Sequence, residues 1–192
     1  MPDTEPEDLL LTAAEIQDVT NRDMPTELAQ AIARMATDAV RDYCGWRVAK
    51  TATETVTVAS RGGHSLFVPS LNIVSIGSVT ENGVTIDEPA DYDWDESGIL
   101  YRGGRGHRRW HTGRRAVTVT LTHGYEKCPG GIAQAIASAV ARGALVPSGL
   151  ISETAVGQTR QYGRTGSGAP IDAGFTPEEL TRLDSHRLRN NR

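Results

Sequence analysis

The chain is predicted to be an α+β protein in which a small antiparallel β module interrupts a helical one. Three features of its 192 residues carry that prediction. Apolar positions recur at three and four before residue 46 and again after residue 130, the spacing of one helix face. Between these stretches the pattern changes to alternation rich in Val, Ile and Thr. Turn residues interrupt that middle region at short intervals, as in a small sandwich or barrel.

The elements follow in order. Thr12-Ala13-Ala14-Glu15 has the form of a capping box, in which the Thr hydroxyl and the Glu carboxylate each satisfy an orphan amide, so a helix over 12–21 is expected. Met24-Pro25-Thr26-Glu27 breaks it and starts a second, over 26–44. In that helix Leu28, Ile32, Met35, Ala36, Ala39, Val40 and Tyr43 form one apolar stripe, and Gly45 suits the left-handed position past its end. Strands are expected at 53–58, 66–69, 73–80, 84–86, 91–94, 99–101 and 116–122. Arg61-Gly62-Gly63-His64, Glu81-Asn82-Gly83 and Glu96-Ser97-Gly98 supply turns between them. A third helix near 130–145 carries an Ala-rich stripe of Ile132, Ala133, Ile136, Ala137, Val140 and Ala144, small side chains that permit close helix approach. Residues 151–174 are polar and Gly-rich, which favours an extended arm over a packed element. Thr176-Pro177-Glu178-Glu179 then caps a short final helix with Pro in its first position. The expected organisation is a helical module of 1–47 plus 124–150, an inserted β module of 48–123, and a C-terminal arm and helix of 151–192.

Composition narrows the function classes. Counting glycine and leaving out tyrosine, about 46% of the residues are apolar, within the usual ~45–50%, so wholesale disorder is excluded. The net charge of −4 argues against a protein that coats nucleic acid. Two cysteines, Cys44 and Cys128, cannot build a disulfide framework or a four-ligand zinc site. The acidic start and the lack of any long apolar run point to a soluble, non-secreted chain with no membrane partner.

The charge is distributed in blocks. Residues 1–27 carry eight acids and one base, 81–96 carry seven acids and no base, and 102–115 carry six Arg and no acid. The last eleven residues carry four Arg and one acid, and the whole chain has 18 Arg against 2 Lys. An acidic segment followed at once by a basic one pairs within the chain or with a neighbour, and Arg suits bidentate contacts at partner surfaces. Asp91, Asp93, Asp95, Glu96, Arg105, Arg108, Arg109 and Trp110 are the candidate interface residues. The Arg loop with Trp110 also has the chemistry to meet phosphate and stack on a base, so a small DNA-binding protein stays open as a lesser alternative.

Catalytic and cofactor readings fail on spacing. His107 and His111 are four apart but lie in a Gly-rich loop among arginines that repel a cation. Asp91, Asp93 and Asp95 alternate, yet the Gly and Glu of a calcium loop are missing. Gly103, Gly104 and Gly106 match no nucleotide pattern, and no Ser sits in a nucleophile elbow. No enzyme activity, metal or cofactor is therefore expected.

Several phrases, in order, resemble the head–tail connector (adaptor) proteins of tailed bacteriophages. They are Ala39-Val40-Arg41-Asp42-Tyr43-Cys44-Gly45-Trp46, Leu66-Phe67-Val68-Pro69 with Val74-Ser75-Ile76, and Asp91-Tyr92-Asp93-Trp94 with Gly98-Ile99-Leu100. Val119-Thr120-Leu121-Thr122-His123-Gly124-Tyr125 leads on to Pro129, and Ser152-Glu153, Gly157 and Thr176-Pro177-Glu178-Glu179 with Leu183 complete the set. The resemblance spans about 10–187. It implies a structural protein of the virion neck, assembled in the bacterial cytoplasm as a homo-oligomeric, dodecameric ring that continues the DNA channel. Its partners would be the portal protein and a stopper or tail-completion protein, with double-stranded DNA passing through. On this reading Arg160, Gln161, Tyr162, Arg164, Phe175, Leu180, Leu183 and Arg187 dock on the portal. Another neck or stopper-like protein is the alternative within the same class.

Overall fold

The computed structural model describes residues 8–21, 24–103, 108–143, 152–155, 158–161 and 174–188. Their elements are α1 (Ala13–Thr20), α2 (Thr26–Cys44), β1 (Ala52–Ser60), β2 (Ser65–Phe67), β3 (Ile73–Glu81), β4 (Val84–Ile86), β5 (Tyr92–Asp95) and β6 (Ile99–Arg102). They continue with β7 (Gly113–His123), α3 (Gly130–Gly143), β8 (Ser152–Ala155), β9 (Gln158–Gln161) and α4 (Pro177–Leu183). This is the expected α+β order, helices flanking a run of antiparallel strands and a short helix near the end. Within the expected arm, β8 and β9 pair as an antiparallel hairpin. By contacts the chain divides into two compact units.

One unit contains Arg41–Cys128 together with Asp8 and His186–Leu188 of the described residues. It holds two antiparallel sheets, ordered β1-β7-β3-β4 and β2-β6-β5. Both lend side chains to one core: Val79, Val117, Val119 and Leu121 from the first, Leu66, Tyr92 and Leu100 from the second, with Trp110 from the loop between β6 and β7. Burying a side chain of this size stabilises by roughly 1.5–3 kcal/mol before conformational entropy is counted. The alternation that predicted β7 is visible in its register. Val117, Val119, Leu121 and His123 point inward, while Thr118, Thr120 and Thr122 face out. There they meet Thr57, Thr55 and Thr53 of β1, hydroxyl to hydroxyl, at 3.2, 2.9 and 2.8 Å. Asn82 and Gly83 both take positive φ, 50° and 82°, as the tight β3–β4 hairpin requires.

The other unit contains Leu9–Val40 and Pro129–Ser185. The Thr12/Glu15 capping box forms as the sequence predicts, and Asn21 closes α1 in the left-handed region. In α3, Ile132, Ala135, Ile136 and Ala139 are buried; this helix packs against α1 and α4. Leu9, Leu10 and Leu11 before α1 are also buried, and the Leu10 amide donates to Thr37 Oγ1 at 3.1 Å.

The stripe predicted for α2 is rotated in the structure. Its buried line is Ala29, Ala33, Thr37, Val40 and Cys44, whereas Leu28 and Met35 are exposed, Met35 by 71%. The small residues allow close packing on one side and leave the bulky apolar side chains outside.

Candidate functional site

The acidic and basic blocks meet inside the β unit. β6 ends on Arg102, whose inward position in the strand alternation carries its guanidinium beneath the surface. There its Nε donates to Glu81 Oε2 at 3.0 Å, and its Nη1 donates to the Asp91 carbonyl. The Arg102 and Glu81 side chains are only 7% and 12% exposed. The guanidinium also stands over the Trp110 ring, 5.6 Å from its centroid, a favourable cation–π arrangement. Glu81 accepts in addition from the His111 amide at 2.6 Å. Asp91 bridges outward to Arg108 at 2.8 Å. The Asp87 backbone amide, then Arg102 and Arg108, hold its carboxyl below the usual range.

A second ionic group holds Asp8, from the acidic start of the chain. Asp8 accepts from Arg41 at 2.7 and 3.2 Å and from Arg47, and these bonds, Arg41's first, lower its pKa. Arg47 also reaches Glu54 at 3.3 Å, which lies 3.4 Å from the buried His123. Burial lowers the pKa of His123. In the same unit the Trp46 indole donates to the His186 carbonyl at 2.6 Å, the Leu188 amide donates to the Cys44 carbonyl, and Arg187 sits over the Tyr43 ring.

In the helical unit, Arg142 of α3 grips Glu179 of α4 with two bonds of 2.7 and 2.8 Å and the Gly174 carbonyl at 2.6 Å. Burial raises the Glu179 carboxyl, but the Arg142 and Thr176 bonds outweigh it and the net shift is downward. The Thr176/Glu179 capping box and Pro177 start α4 as predicted.

These placements sort the candidate residues. Asp91 and Arg108 pair directly, and Arg102 joins Asp91 to Glu81; Arg102 and Glu81 belong to the charge blocks but are not among the candidate residues. Asp93, Asp95, Glu96 and Arg109 are exposed and have no ion pair among the described residues. Trp110 is 1% exposed and belongs to the core. Leu183 is fully buried in its own unit, Phe175 and Leu180 are half-buried, and Arg187 is exposed. Arg160 and Gln161 belong to β9, while Arg105, Tyr162 and Arg164 lie outside the described residues. So does His107; among the described residues no group of His, Cys, Asp or Glu is arranged to hold a metal ion.

The reading missed an apolar patch. Register places Phe67 opposite Ile99 and Ser65 opposite Tyr101, with Asp95 and Asp93 opposite them on β5. These six residues share the outer face of the three-stranded sheet. Phe67 is 61% exposed and Tyr101 41%. The signal was present in the strand alternation, since an inward Leu66 sends Phe67 outward.

A family model described as head completion protein matches residues 10–171. Among solved structures, a chain in the neck of an empty GTA particle computed with C6 symmetry has a TM-score of 0.59 at 15% identity, covering 97% of this chain and 94% of that one. A chain in the neck of a native GTA particle computed with C12 symmetry gives 0.58 at 15% identity, covering 97% and 93%. A chain in the virion of a native gene transfer agent particle gives 0.56 at 13%, covering 94% and 91%. At these identities the likeness is one of fold. No curated protein sequence matches the chain.

Proposed function

The chain belongs to the head completion protein family, and from that premise we propose that it is a non-enzymatic adaptor of the virion neck. Copies of it form a closed dodecameric ring that joins the portal to the stopper or tail and continues the channel through which double-stranded DNA passes. The observation that carries this reading is the family match over 10–171, which spans both compact units. The fold shared with chains of GTA necks over nearly the whole length supports it. So do the exposed apolar residues of α2, Leu28 and Met35, which suit a chain that buries them against neighbours. Arg160, Gln161, Tyr162 and Arg164 are the proposed portal contacts of the arm. Leu183 acts one step back, by anchoring α4.

Docking is tested without cutting away α4, because removing Leu183 would open the core of its unit. The double reversal Arg160→Glu/Arg164→Glu should prevent attachment of the chain to portal-bearing heads while leaving its circular dichroism unchanged. Attachment at the wild-type level would remove the docking assignment.

A further inference from the structure

We propose that the free edge of β1 receives the β8–β9 hairpin of a second copy of this chain, so that strands of one copy extend the four-stranded sheet of the next. The inference rests on the neck reading and names a contact that would repeat around the ring.

β1 is an edge strand. Among the described residues it pairs with β7 on one side and with no strand on the other, although it runs for nine residues, Ala52–Ser60. An edge of that length presents a row of amides and carbonyls that templates another strand unless charge, Pro or a bulge guards it. The other edges are guarded: β2 and β4 have three residues each, and β5 has four, two of them the exposed Asp93 and Asp95. β1 holds neither Lys nor Pro, and its register shifts only near its end, between Val58 and Ser60. Its one acid, Glu54, is held by Arg47 at 3.3 Å. From Thr55 to Val58 the strand is Thr and Val in alternation, side chains that suit a pleated, half-buried surface. Val56 and Val58 are half-buried, whereas Val119 and Val117 opposite them on β7 are fully buried. A strand added beyond β1 completes that burial.

The hairpin supplies what this edge lacks. β8 and β9 pair with each other from Ser152 opposite Gln161 to Ala155 opposite Gln158, and with no third strand among the described residues. A two-stranded ribbon is marginally stable in water, and a third strand steadies it. Edge and hairpin are both unpaired within one chain, so a single contact between two copies satisfies both. Strand addition draws its affinity from main-chain hydrogen bonds, which suits the polar sequence of 152–161. Joining through β8 leaves β9, with Arg160 and Gln161, on the outer side for the portal. The contact uses a different surface on each copy; it is therefore heterologous and continues from copy to copy. Pairing β1 with the β1 of a second copy would instead make a closed twofold dimer and leave the hairpin without its third strand.

Crosslinking in assembled particles tests this. Two full-length versions with tags of different size are produced together. One carries Thr53→Cys, Thr55→Cys or Thr57→Cys, exposed positions of β1; the other carries Glu153→Cys or Thr154→Cys, adjacent strand positions of which one shares the Thr face in any register. Purified particles are treated with a short bis-maleimide beside a wild-type control, which has Cys44 and Cys128. The expected product is a dimer of the two versions for at least one pairing, with no dimer when either version is present alone. Hydrogen exchange supplies a second readout: the fast-exchanging amides of 52–60 should slow by about tenfold or more in particles, relative to purified chain that sediments as a monomer. A chain present in particles without any mixed dimer, as when the hairpin docks on its own β1, overturns the proposal. So does a β1 cysteine version linked to itself, a β1 cysteine linked to a different virion protein, or unchanged exchange over 52–60. Absence of the wild-type chain from particles overturns the neck reading, and with it this inference.

Discussion

Removing the Arg102 side chain tests whether the β unit is held by a buried ionic pair. Arg102→Met keeps the length and apolar bulk of the side chain and removes the guanidinium. It leaves the Glu81 carboxylate, 12% exposed in the wild type, with the His111 amide as its remaining donor. Breaking a buried pair from one side typically costs about 3–5 kcal/mol, because the orphaned charge stays desolvated. Loss of the Trp110 cation–π contact adds about 0.5–2 kcal/mol. Replacing both partners, Glu81→Met/Arg102→Met, removes the orphan, so the double variant should be more stable than Arg102→Met alone by roughly 2 kcal/mol or more. Urea unfolding followed by tryptophan fluorescence measures all three proteins. A cost below about 1 kcal/mol for Arg102→Met would match an exposed pair and refute the reasoning, as would simple additivity in the double variant.

Other changes have equally defined outcomes. Gly98 has φ +92°, and a Cβ there would lie 2.0 Å from the Ser70 carbonyl oxygen. Gly98→Ala should therefore yield little folded protein, read as loss of the soluble fraction and of the urea transition. Leu183→Ala leaves a cavity beneath α4 and should cost about 2–5 kcal/mol, measured in the same way. Arg142→Met releases Glu179 and the Gly174 carbonyl; limited proteolysis should then cut near residue 174 faster than in the wild type. Burial lowers the His123 and His186 pKa values from an unfolded value near 6.5. The unfolded chain thus binds more protons between the folded value and about 6.5. Stability falls as pH drops through that window, and the loss is complete below it. His123→Gln should flatten the slope of stability against pH; an unchanged slope would exclude His123 as a source.

Much of the fold is legible in the sequence because its signals are local. The two capping boxes, the Asn82-Gly83 turn and the β7 alternation depend on neighbours a few residues away, and each forms at its expected place. The α2 stripe shows where local reading ends. Leu28 and Met35 are as apolar as a core residue, and hydrophobic spacing does not distinguish a helix face buried in its own chain from one left for a partner. The true inner line, Ala29, Ala33 and Thr37, is chosen by how closely the chain packs and by the Leu10 amide that Thr37 accepts, a bond across 27 positions. The charge blocks were visible as blocks, but their pairing was not. The β5–β6 register sets Tyr92 opposite Arg102, Asp91 just before β5 meets the Arg102 guanidinium, Glu81 is brought to Arg102 by the fold, and Asp93 and Asp95 are left on the outer face of β5. Trp110 reads as an exposed aromatic because it follows Arg108 and Arg109, yet the loop turns it into the core.

A reconstruction of the neck in particles that carry this chain tests the adaptor role most directly. The expected density is a closed ring of twelve copies between the portal and the tail-side neck protein. Density for the chain on the capsid surface or in the tail, or single copies without lateral contact, would contradict it.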